Sequence, residues 1–386
     1  MTTSLSKLPR VAEGPRAVLH LLNGEQYSGL ERVVDHLAEG ASAYGLRLVL
    51  GLLKPSSMRR RPFSSSADVH DLSMRSRFDL GVSARAARLA RECGCSLIQS
   101  HTVRSALVAQ RVQLETGLPW LHQVHSPALH ESERSGLNLV NFLAEAVVMR
   151  RADLVITVSQ ALAAYVTKYY RVSPDRVAVV PNGVVTNPSS CVTTFLPAGH
   201  QRPFVILTLG LFRPRKGIDR LVEASAILVA AGHDVRLRIA GEFADAAYAR
   251  RINALITRLG LDNRIERLGF IQDVATALDG CDLFALPSLY GEGMPMAVLE
   301  AMSRGRAIVA SDIDGIRELL DAGAGALAPP DSARALAQAI APLIIDPKLR
   351  ERLGMAALAR QQQHYSIASM QSRMFAAYGQ LMGRAV

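Results

Sequence analysis

Short runs of apolar residues alternate with stretches of helical spacing through most of this 386-residue chain. The apolar residues in each run are consecutive, as they are in strands buried on both faces of a sheet. Strand–helix alternation of this kind predicts an α/β fold, in which parallel sheets carry helices on both sides. In the first half we predict strands at 17–22, 46–53, 96–99, 120–124, 154–158 and 177–180.

The alternation stops at residues 182–203, which are rich in Pro, Gly, Ser and Thr, and it then resumes. Such a composition is typical of a linker. We predict a doubly wound domain over 1–185, a linker over 186–203 and a second doubly wound domain over 204–364. Strands of the second domain are expected at 204–209, 235–240, 264–268, 283–286 and 307–310.

Helical spacing accounts for most of the remaining residues. We predict helices at 30–43, 83–92, 103–115, 160–170, 218–230, 246–259 and 295–303, and a tail that is helical from 331 to 386. Residues 54–81 resist assignment because they are polar, basic and aperiodic. A loop of this length inside an α/β domain is usually functional or disordered.

Composition places the chain among globular proteins, with 49% hydrophobic and 20% charged residues. The sequence has no run of 18 apolar residues and no apolar core near Met1, so we expect neither a transmembrane helix nor a signal peptide. Four cysteines without a histidine pair at zinc spacing favour buried thiols in a reducing cytoplasm. The motifs of P-loop proteins and of α/β-hydrolases are absent from the sequence.

The chain is basic, with a formal net charge of +10. Residues 1–190 carry 22 Lys and Arg against 15 Asp and Glu, so most of the excess lies in the first half. A basic half is typical of proteins that bind an anionic partner, such as a nucleic acid, a lipid surface or a phosphorylated substrate. A solvated surface with no partner would have the same composition.

The most informative segment is 281–318, where a buried strand is followed by a loop with Gly291 and Gly293. Pro295 then suits the start of a helix, whose unpaired N–H groups can bind an anion. Glu292 precedes this helix and Glu300 lies two turns along it. Amides for a phosphate and carboxylates for hydroxyl groups would suit a nucleotide sugar. The alternative is that both carboxylates are ordinary surface charges.

The segment EGMPMAVLEAM, with seven residues between Glu292 and Glu300, resembles the signature of the family 4 retaining glycosyltransferases, which have the GT-B fold. Other segments resemble that family in the same order along the chain. They are SGLERVVDHLA (28–38), ADLVITVS (152–159), VAVVPNGV (177–184), LGLFRPRKGID (209–219), IAGE (239–242), RLGF (267–270) and CDLFALPS (281–288). The resemblance runs from about residue 17 to 380. It implies two facing Rossmann-like domains with a cleft between them, and a last helix, 366–386, that packs back on the first domain.

The resemblance also implies roles for particular residues. Glu292 would contact the transferred sugar, Glu300 the ribose diol and Lys216 the diphosphate. His125 matches a family histidine near the donor sugar, and His101 is a second candidate. The expected catalytic residues are Glu292, Lys216, Arg213 and His125. The expected donor-binding residues are Gly29, Gly293, Met294, Pro295, Glu300 and Phe270.

The sequence departs from the family at one position. The family usually has an arginine five residues before the lysine of the phosphate loop, and this chain has Leu211 there. Arg213 and Arg215 are the nearest cations, and we expect Arg213 to replace the missing one. If it does not, the alternative is a GT-B protein that binds the donor with little turnover. A GT-B nucleotide-sugar epimerase is a further alternative, which the Glu292 and Glu300 pair disfavours.

The expected reaction is transfer of a hexose or related sugar from a nucleoside diphosphate donor, with retention and without a metal or cofactor. Asp312 and Asp314 have the spacing of the metal-binding motif D-x-D, but they lie between a predicted strand and a helix and not in a suitable loop. Asp314 is expected to cap that helix. The expected acceptor is a glycan or lipid-linked sugar, and no nucleic acid is expected as a partner. The first-half charge and the cluster Arg59, Arg60 and Arg61 predict peripheral contact with an anionic membrane from the cytoplasm.

Overall fold

The computed structural model describes residues 15–25, 29–54, 63–76, 79–127, 135–186 and 202–383, with only the backbone described for 135–141. These residues form two sheets in which every strand pairs in parallel with its neighbours. The first sheet contains β1 Arg16–Leu22, β2 Leu46–Leu52, β3 Asp68–Asp71, β4 Cys95–Ser100, β5 Trp120–Val124, β6 Leu154–Thr157 and β7 Val177–Val179. The second contains β8 Phe204–Leu209, β9 Val235–Ala240, β10 Ile265–Gly269, β11 Leu283–Leu286, β12 Ala307–Ser311 and β13 Ala326–Ala328.

Helices connect these strands and cover both sheets. In the first half they are α1 Gly29–Ala41, α2 Gly81–Glu92, α3 Val103–Thr116, α4 Ser135–Met149 and α5 Gln160–Tyr165. In the second half they are α6 Ile218–Ala230, α7 Ala246–Arg258, α8 Val274–Asp279, α9 Met296–Ser303, α10 Asp314–Leu319, α11 Ala333–Ile345, α12 Pro347–His364 and α13 Ile367–Leu381. The predicted α/β class and doubly wound architecture are confirmed.

The strand order fixes where a ligand can bind. The first sheet runs β3-β2-β1-β4-β5-β6-β7 and the second runs β10-β9-β8-β11-β12-β13. The order therefore reverses between β1 and β4 in one sheet and between β8 and β11 in the other. Ligands of open α/β sheets bind outside the carboxyl ends of the strands at such a reversal. The loops after β1, β4, β8 and β11 are thus the places to look for a site.

Burial explains why the strands could be read from the sequence. β1 is paired on both sides, and all its residues except Arg16 are buried. β11 is likewise buried along its whole length. Consecutive apolar residues are the pattern that such central strands require, because helices cover both of their faces.

Three expectations need correction. Residues 54–81 contain the edge strand β3, although residues 55–62, which include the arginine cluster, and 77–78 lie outside the described residues. The predicted helix over 160–170 changes after Tyr165 into a wider π-turn at Val166–Tyr170. Asp314 does not cap α10: Ile313 holds the cap position, and Asp314 pairs instead with Arg317.

The last helix, α13, packs against elements of the first sheet. Gln371 donates a hydrogen bond to the carbonyl of His36 in α1, at 2.6 Å. The rings of Phe375 and Tyr44 lie 4.7 Å apart, and Phe375 and Tyr378 are fully buried. The chain therefore returns to its first half, although the domain boundaries assigned from the sequence stay predictions.

None of the helices in the described part of the chain combines the length and the apolar character that a membrane span requires.

Candidate active site

The loop after β8 and the loop after β11 meet at Gly217. A Cβ atom on Gly217 would lie 2.1 Å from the carbonyl oxygen of Pro287, and the residue has φ of +62°. Glycine alone satisfies both conditions without strain. The amide of Leu289 also donates to the carbonyl of Arg215, at 2.8 Å. This close approach places the short 3₁₀ turn Pro214–Lys216 against the loop that carries Glu292.

Glu292 is the centre of a buried charged cluster. Its Oε1 accepts a hydrogen bond from Lys216 Nζ at 2.5 Å and from Ser288 Oγ at 2.7 Å. Arg215 Nη1 lies 3.5 Å from the same oxygen. The Glu292 side chain is only 6% exposed. Two cations and one hydroxyl thus hold a single carboxylate at the carboxyl end of β11.

Burial and charge act against each other in this cluster. Burial disfavours the charged form of Glu292, but Lys216 and Arg215 outweigh it and hold the pKa of this carboxyl below its usual value. Burial, assisted by the charges of Arg215 and Arg213, lowers the pKa of Lys216 despite the attraction of Glu292. The cluster carries two positive charges beside one negative charge, so an entering anion would find an excess of positive charge there.

Glu300 lies in α9 and forms an ion pair with Arg32 of α1. The two helices are in contact, because a Cβ atom on Gly29 at the start of α1 would lie 3.1 Å from Met296 Cγ. The Glu300 side chain is 9% exposed and that of Arg32 is 26% exposed. A carboxylate of the second half therefore meets a guanidinium of the first half next to the candidate nucleotide site.

Gly293, Met294 and Pro295 connect Glu292 to α9 and pack against the first half. A Cβ atom on Gly293 would lie 2.0 Å from the carbonyl oxygen of His125. The side chain of Asn182 donates to the carbonyl of Met294 at 3.2 Å. Pro295 holds the N-cap position, so α9 begins one residue later than predicted. The loop that bears Glu292 thus packs against the carboxyl end of β5.

His125 follows β5 and His101 follows β4, so the two predicted histidines lie at the ends of neighbouring strands. His101 Nδ1 and His125 Nε2 are 3.2 Å apart. His125 is half-buried, and its backbone contacts Gly293. Burial lowers the pKa of His125 to about 4 and takes the pKa of His101 well below its usual value. Both imidazoles are therefore neutral near pH 7.

Arg213 and Phe270 have more open surroundings. Arg213 is exposed at the N-cap of the Pro214–Lys216 turn, while Arg215 lies beside Glu292. Phe270 follows β10 and is 43% exposed. Both assignments stay predictions. The geometry favours Arg215 over Arg213 as the second cation of the cluster.

Sequence reasoning missed Arg32 and Ser288, which contact the two candidate carboxylates. Arg32 lies within the segment 28–38, and Ser288 ends the segment 281–288. Both segments carry the family resemblance, so their polar residues were the available signal. Arg32 reaches Glu300 only because the two halves meet, whereas Ser288 reaches Glu292 within one loop.

Within the described ranges one group of three side chains has its potential metal-ligand atoms within 4.8 Å of one another: Asp68, His70 and Cys93. Arg47 donates to Asp68 at 2.7 Å and to the carbonyl of Cys93 at 2.8 Å. A guanidinium in this position repels a metal cation. The expectation that sugar transfer needs no metal ion stays a prediction.

The buried histidines predict how stability depends on pH. His20, His101 and His122 are at most 3% exposed, and burial lowers the pKa of His20 and of His122 to about 3. Below pH 6.5 the unfolded chain binds protons at these sites while the folded protein does not, so the free energy of unfolding falls as the pH falls. We expect a loss of about 1 kcal/mol per histidine between pH 6.5 and 5.5.

Urea unfolding at several pH values measures this loss. His20→Gln keeps a hydrogen-bonding side chain but removes one titrating group. About a quarter of the pH dependence should disappear with it, because burial lowers the pKa of His125 as well as that of the other three imidazoles. Equal stability of the wild type at pH 6.5 and 5.5 would contradict the prediction.

Comparison with known families agrees with the geometry. Residues 27–187 match the family described as Glycosyltransferase Family 4, and residues 197–360 match the one described as Glycosyl transferases group 1. The chain belongs to glycosyltransferase family 4. The resemblance on which the site residues were assigned is thereby confirmed at the level of the family.

Curated relatives of this family 4 chain include the putative colanic acid biosynthesis glycosyltransferase WcaL of Salmonella typhimurium. It is 33% identical over 202 residues, which make up 50% of this chain and 48% of the relative. The phosphatidyl-myo-inositol mannosyltransferase of Mycolicibacterium smegmatis is 34% identical over 200 residues, or 50% of this chain and 49% of the relative. The chain matches about half the length of these relatives.

Solved structures share the fold along nearly the whole chain. Sucrose-phosphate synthase from Thermosynechococcus elongatus has a TM-score of 0.82 at 23% identity, covering 95% of this chain and 99% of that one. Anabaena HepE, in a complex with UDP-glucose, has a TM-score of 0.80 at 23% identity, covering 94% and 99%. The predicted GT-B architecture of this family 4 chain is confirmed.

Proposed function

We propose that the chain is a retaining glycosyltransferase that transfers a hexose or related sugar from a nucleoside diphosphate donor. The observation that carries the proposal is the cluster of Lys216, Arg215 and Glu292 at the strand-order reversal of the second sheet. Glu300 lies in the helix that follows. Cations for a diphosphate and carboxylates for hydroxyl groups are the chemistry that a nucleotide sugar requires.

In the proposed complex the diphosphate binds to Lys216 and Arg215, and Glu292 accepts a hydrogen bond from a hydroxyl of the transferred sugar. The bond between the anomeric carbon and the diphosphate breaks, and the leaving oxygen gains negative charge. Preorganised cations stabilise such charge where it develops, which is commonly the largest contribution of an enzyme to catalysis.

The acceptor hydroxyl attacks from the face that the diphosphate leaves, which preserves the anomeric configuration. Its proton passes to an oxygen of the leaving phosphate, so the step needs no protein base. Products are the glycosylated acceptor and the nucleoside diphosphate. We propose a glycan or lipid-linked acceptor. The first half of the chain has the larger positive excess, which suits an acceptor that carries negative charge or lies at an anionic lipid surface.

A thermal-shift screen with nucleoside diphosphates and their sugars tests donor binding. A ligand present at 100 times its Kd adds about 2.7 kcal/mol to the stability of the folded protein. We expect one nucleoside diphosphate to raise Tm more than the others. When an acceptor is added, the protein should release the same nucleoside diphosphate from the corresponding nucleotide sugar. Stabilisation without release would favour the donor-binding alternative, and no stabilisation by any nucleotide would overturn both.

Glu300 gives a sharper test of the nucleotide site. If Glu300 leaves Arg32 and accepts hydrogen bonds from the ribose diol, the wild type should bind a nucleoside diphosphate more tightly than its 2′-deoxy analogue. We expect about a tenfold preference, since a hydrogen bond to a charged group contributes about 1.5 kcal/mol or more. Calorimetric titration of both ligands measures it.

Glu300→Ala should weaken binding of the ribonucleotide more than binding of the deoxy analogue, which offers Glu300 only its 3′ hydroxyl, so that the preference disappears. Glu351→Ala, a change at an exposed glutamate of α12, is the matched control and should keep the wild-type preference. An undiminished preference in Glu300→Ala would place the ribose elsewhere.

A further inference from the structure

A continuous row of hydrogen-bonded side chains joins the last helix to His125. Tyr378 Oη of α13 lies 3.1 Å from His20 Nε2, and His20 Nδ1 lies 3.1 Å from His101 Nε2. His101 Nδ1 in turn lies 3.2 Å from His125 Nε2. We call these four residues the histidine row. None of its contacts joins residues close in the sequence, so the row exists only in the folded chain.

Three neighbouring strands hold the row in place. His20 is in β1, His101 follows β4 and His125 follows β5, and these strands are adjacent in the first sheet. The ring centroids of His20 and His101 are 5.3 Å apart, and those of His101 and His125 are 5.4 Å apart, in stacked arrangements. His20 and Tyr378 are fully buried. The sheet therefore fixes the three imidazoles of the row, and α13 fixes Tyr378.

Two glutamines set the direction of the hydrogen bonds. Tyr378 donates its one proton to Gln99 Oε1, and Gln99 Nε2 donates to Gln123 Oε1 at 2.8 Å. A hydroxyl has a single proton, so Tyr378 Oη can only accept from His20. A neutral imidazole has one N–H group and one acceptor nitrogen. His20 therefore donates through Nε2 and accepts through Nδ1.

The same alternation continues along the row. His101 donates through Nε2 to His20, so its Nδ1 must accept from His125 Nε2. His125 is then protonated at Nε2, and its Nδ1 has a free lone pair. Burial lowers the pKa of all three imidazoles, which keeps them neutral near pH 7 as the alternation requires.

We propose that Tyr378, His20 and His101 are positioning residues that hold His125 as its Nε2–H tautomer, so that Nδ1 accepts a hydrogen bond from a hydroxyl of the bound sugar. The assignment of the ligand rests on the proposed transferase function, whereas the tautomer does not. His125 is suited to this role because its backbone packs against Gly293, the residue next to Glu292. A ligand group at Nδ1 must be a hydrogen-bond donor.

Nitrogen-15 NMR of histidine-labelled protein tests the tautomer without substrate, and His125→Gln identifies the signals of His125. In the wild type at pH 7 we expect His125 protonated at Nε2. Tyr378→Phe removes the acceptor at the end of the row. A buried bare acceptor nitrogen is tolerated better than an orphaned N–H, so the row should reverse and His125 should become protonated at Nδ1.

Two further variants separate this effect from damage to the fold. Gln99→Met removes the acceptor of the Tyr378 proton while conserving volume, so Tyr378 should then donate to His20 and reverse the row in the same way. Tyr44→Phe is the matched control, since Tyr44 packs against Phe375 of the same helix but lies outside the row. It should leave His125 protonated at Nε2.

The reversed tautomer should lower kcat/KM for transfer about tenfold, as expected when an acceptor becomes a donor facing a hydroxyl. The Kd of the nucleoside diphosphate, which lacks the sugar, should stay unchanged. Protonation of His125 at Nδ1 in the wild type, or an unaltered tautomer in both folded variants, would overturn the proposal. A wild type with the expected tautomer but without transferase activity would instead overturn the proposed function.

Discussion

Replacing Lys216 with alanine is expected to lower the rate of sugar transfer by two or more orders of magnitude. Lys216 Nζ is 2.5 Å from Glu292 Oε1, at the position proposed for the diphosphate. Removing a preorganised group that stabilises developing charge costs about 3 kcal/mol, which is more than a hundredfold in rate. The measurement is kcat/KM for release of nucleoside diphosphate, with Tm recorded for each variant.

The control for this change is Lys348→Ala, which removes an exposed lysine from the first turn of α12 and should leave the rate unchanged.

Glu292→Gln should reduce turnover more than it reduces binding of the nucleoside diphosphate, because Glu292 is assigned to the sugar. In the double variant of Lys216→Ala and Glu292→Gln, the rate losses of the two single variants should not add, since the two residues share one hydrogen bond. A folded Lys216→Ala enzyme with the wild-type rate would refute the site.

Arg215→Ala is expected to lower transfer by about ten- to a hundredfold, because two cations together stabilise the leaving diphosphate. Arg215 Nη1 lies 3.5 Å from Glu292 Oε1 and donates to the carbonyl of Gly291 at 3.2 Å. It can thus supply the charge that the family usually has at the position of Leu211. The assay is again kcat/KM for release of nucleoside diphosphate.

Arg213→Ala serves as the matched variant, since it removes an equal charge from the same turn. The sequence predicts that Arg213 replaces the missing arginine, whereas the geometry favours Arg215, so the smaller loss is expected in Arg213→Ala. A greater loss in Arg213→Ala than in Arg215→Ala would restore the prediction made from the sequence.

The sequence predicted the central strands well because each of them has its own run of apolar residues, which is visible without knowledge of the rest of the fold. β1 and β11 are buried on both faces, and consecutive apolar residues are a direct sign of that burial. β3 was missed because Asp68–Asp71 is an edge strand in which exposed residues alternate with partly buried ones, and three of its four residues are polar. An edge strand has one neighbour and needs no such apolar run.

Residue spacing alone predicted the site only within one segment, and it took the family resemblance to add Lys216 and His125 from other segments. Glu292 and Glu300 share the loop and helix after β11, so their spacing alone suggested a pair. The ion pair of Arg32 with Glu300 and the contact of Tyr378 with His20 join residues from opposite parts of the chain. Such contacts follow from how the two halves and the last helix assemble, and one sequence gives no measure of that.

The return of α13 to the first sheet has a consequence for biosynthesis. Phe375 and Tyr378 are fully buried in the same core as the strands of the first sheet. Domains generally begin to fold in the order in which the ribosome releases them. Here the first domain stays unfinished on the ribosome until the second has been made, because its core lacks two aromatic side chains until then. A nascent chain that stalls before residue 375 would therefore expose the apolar surface that these rings cover.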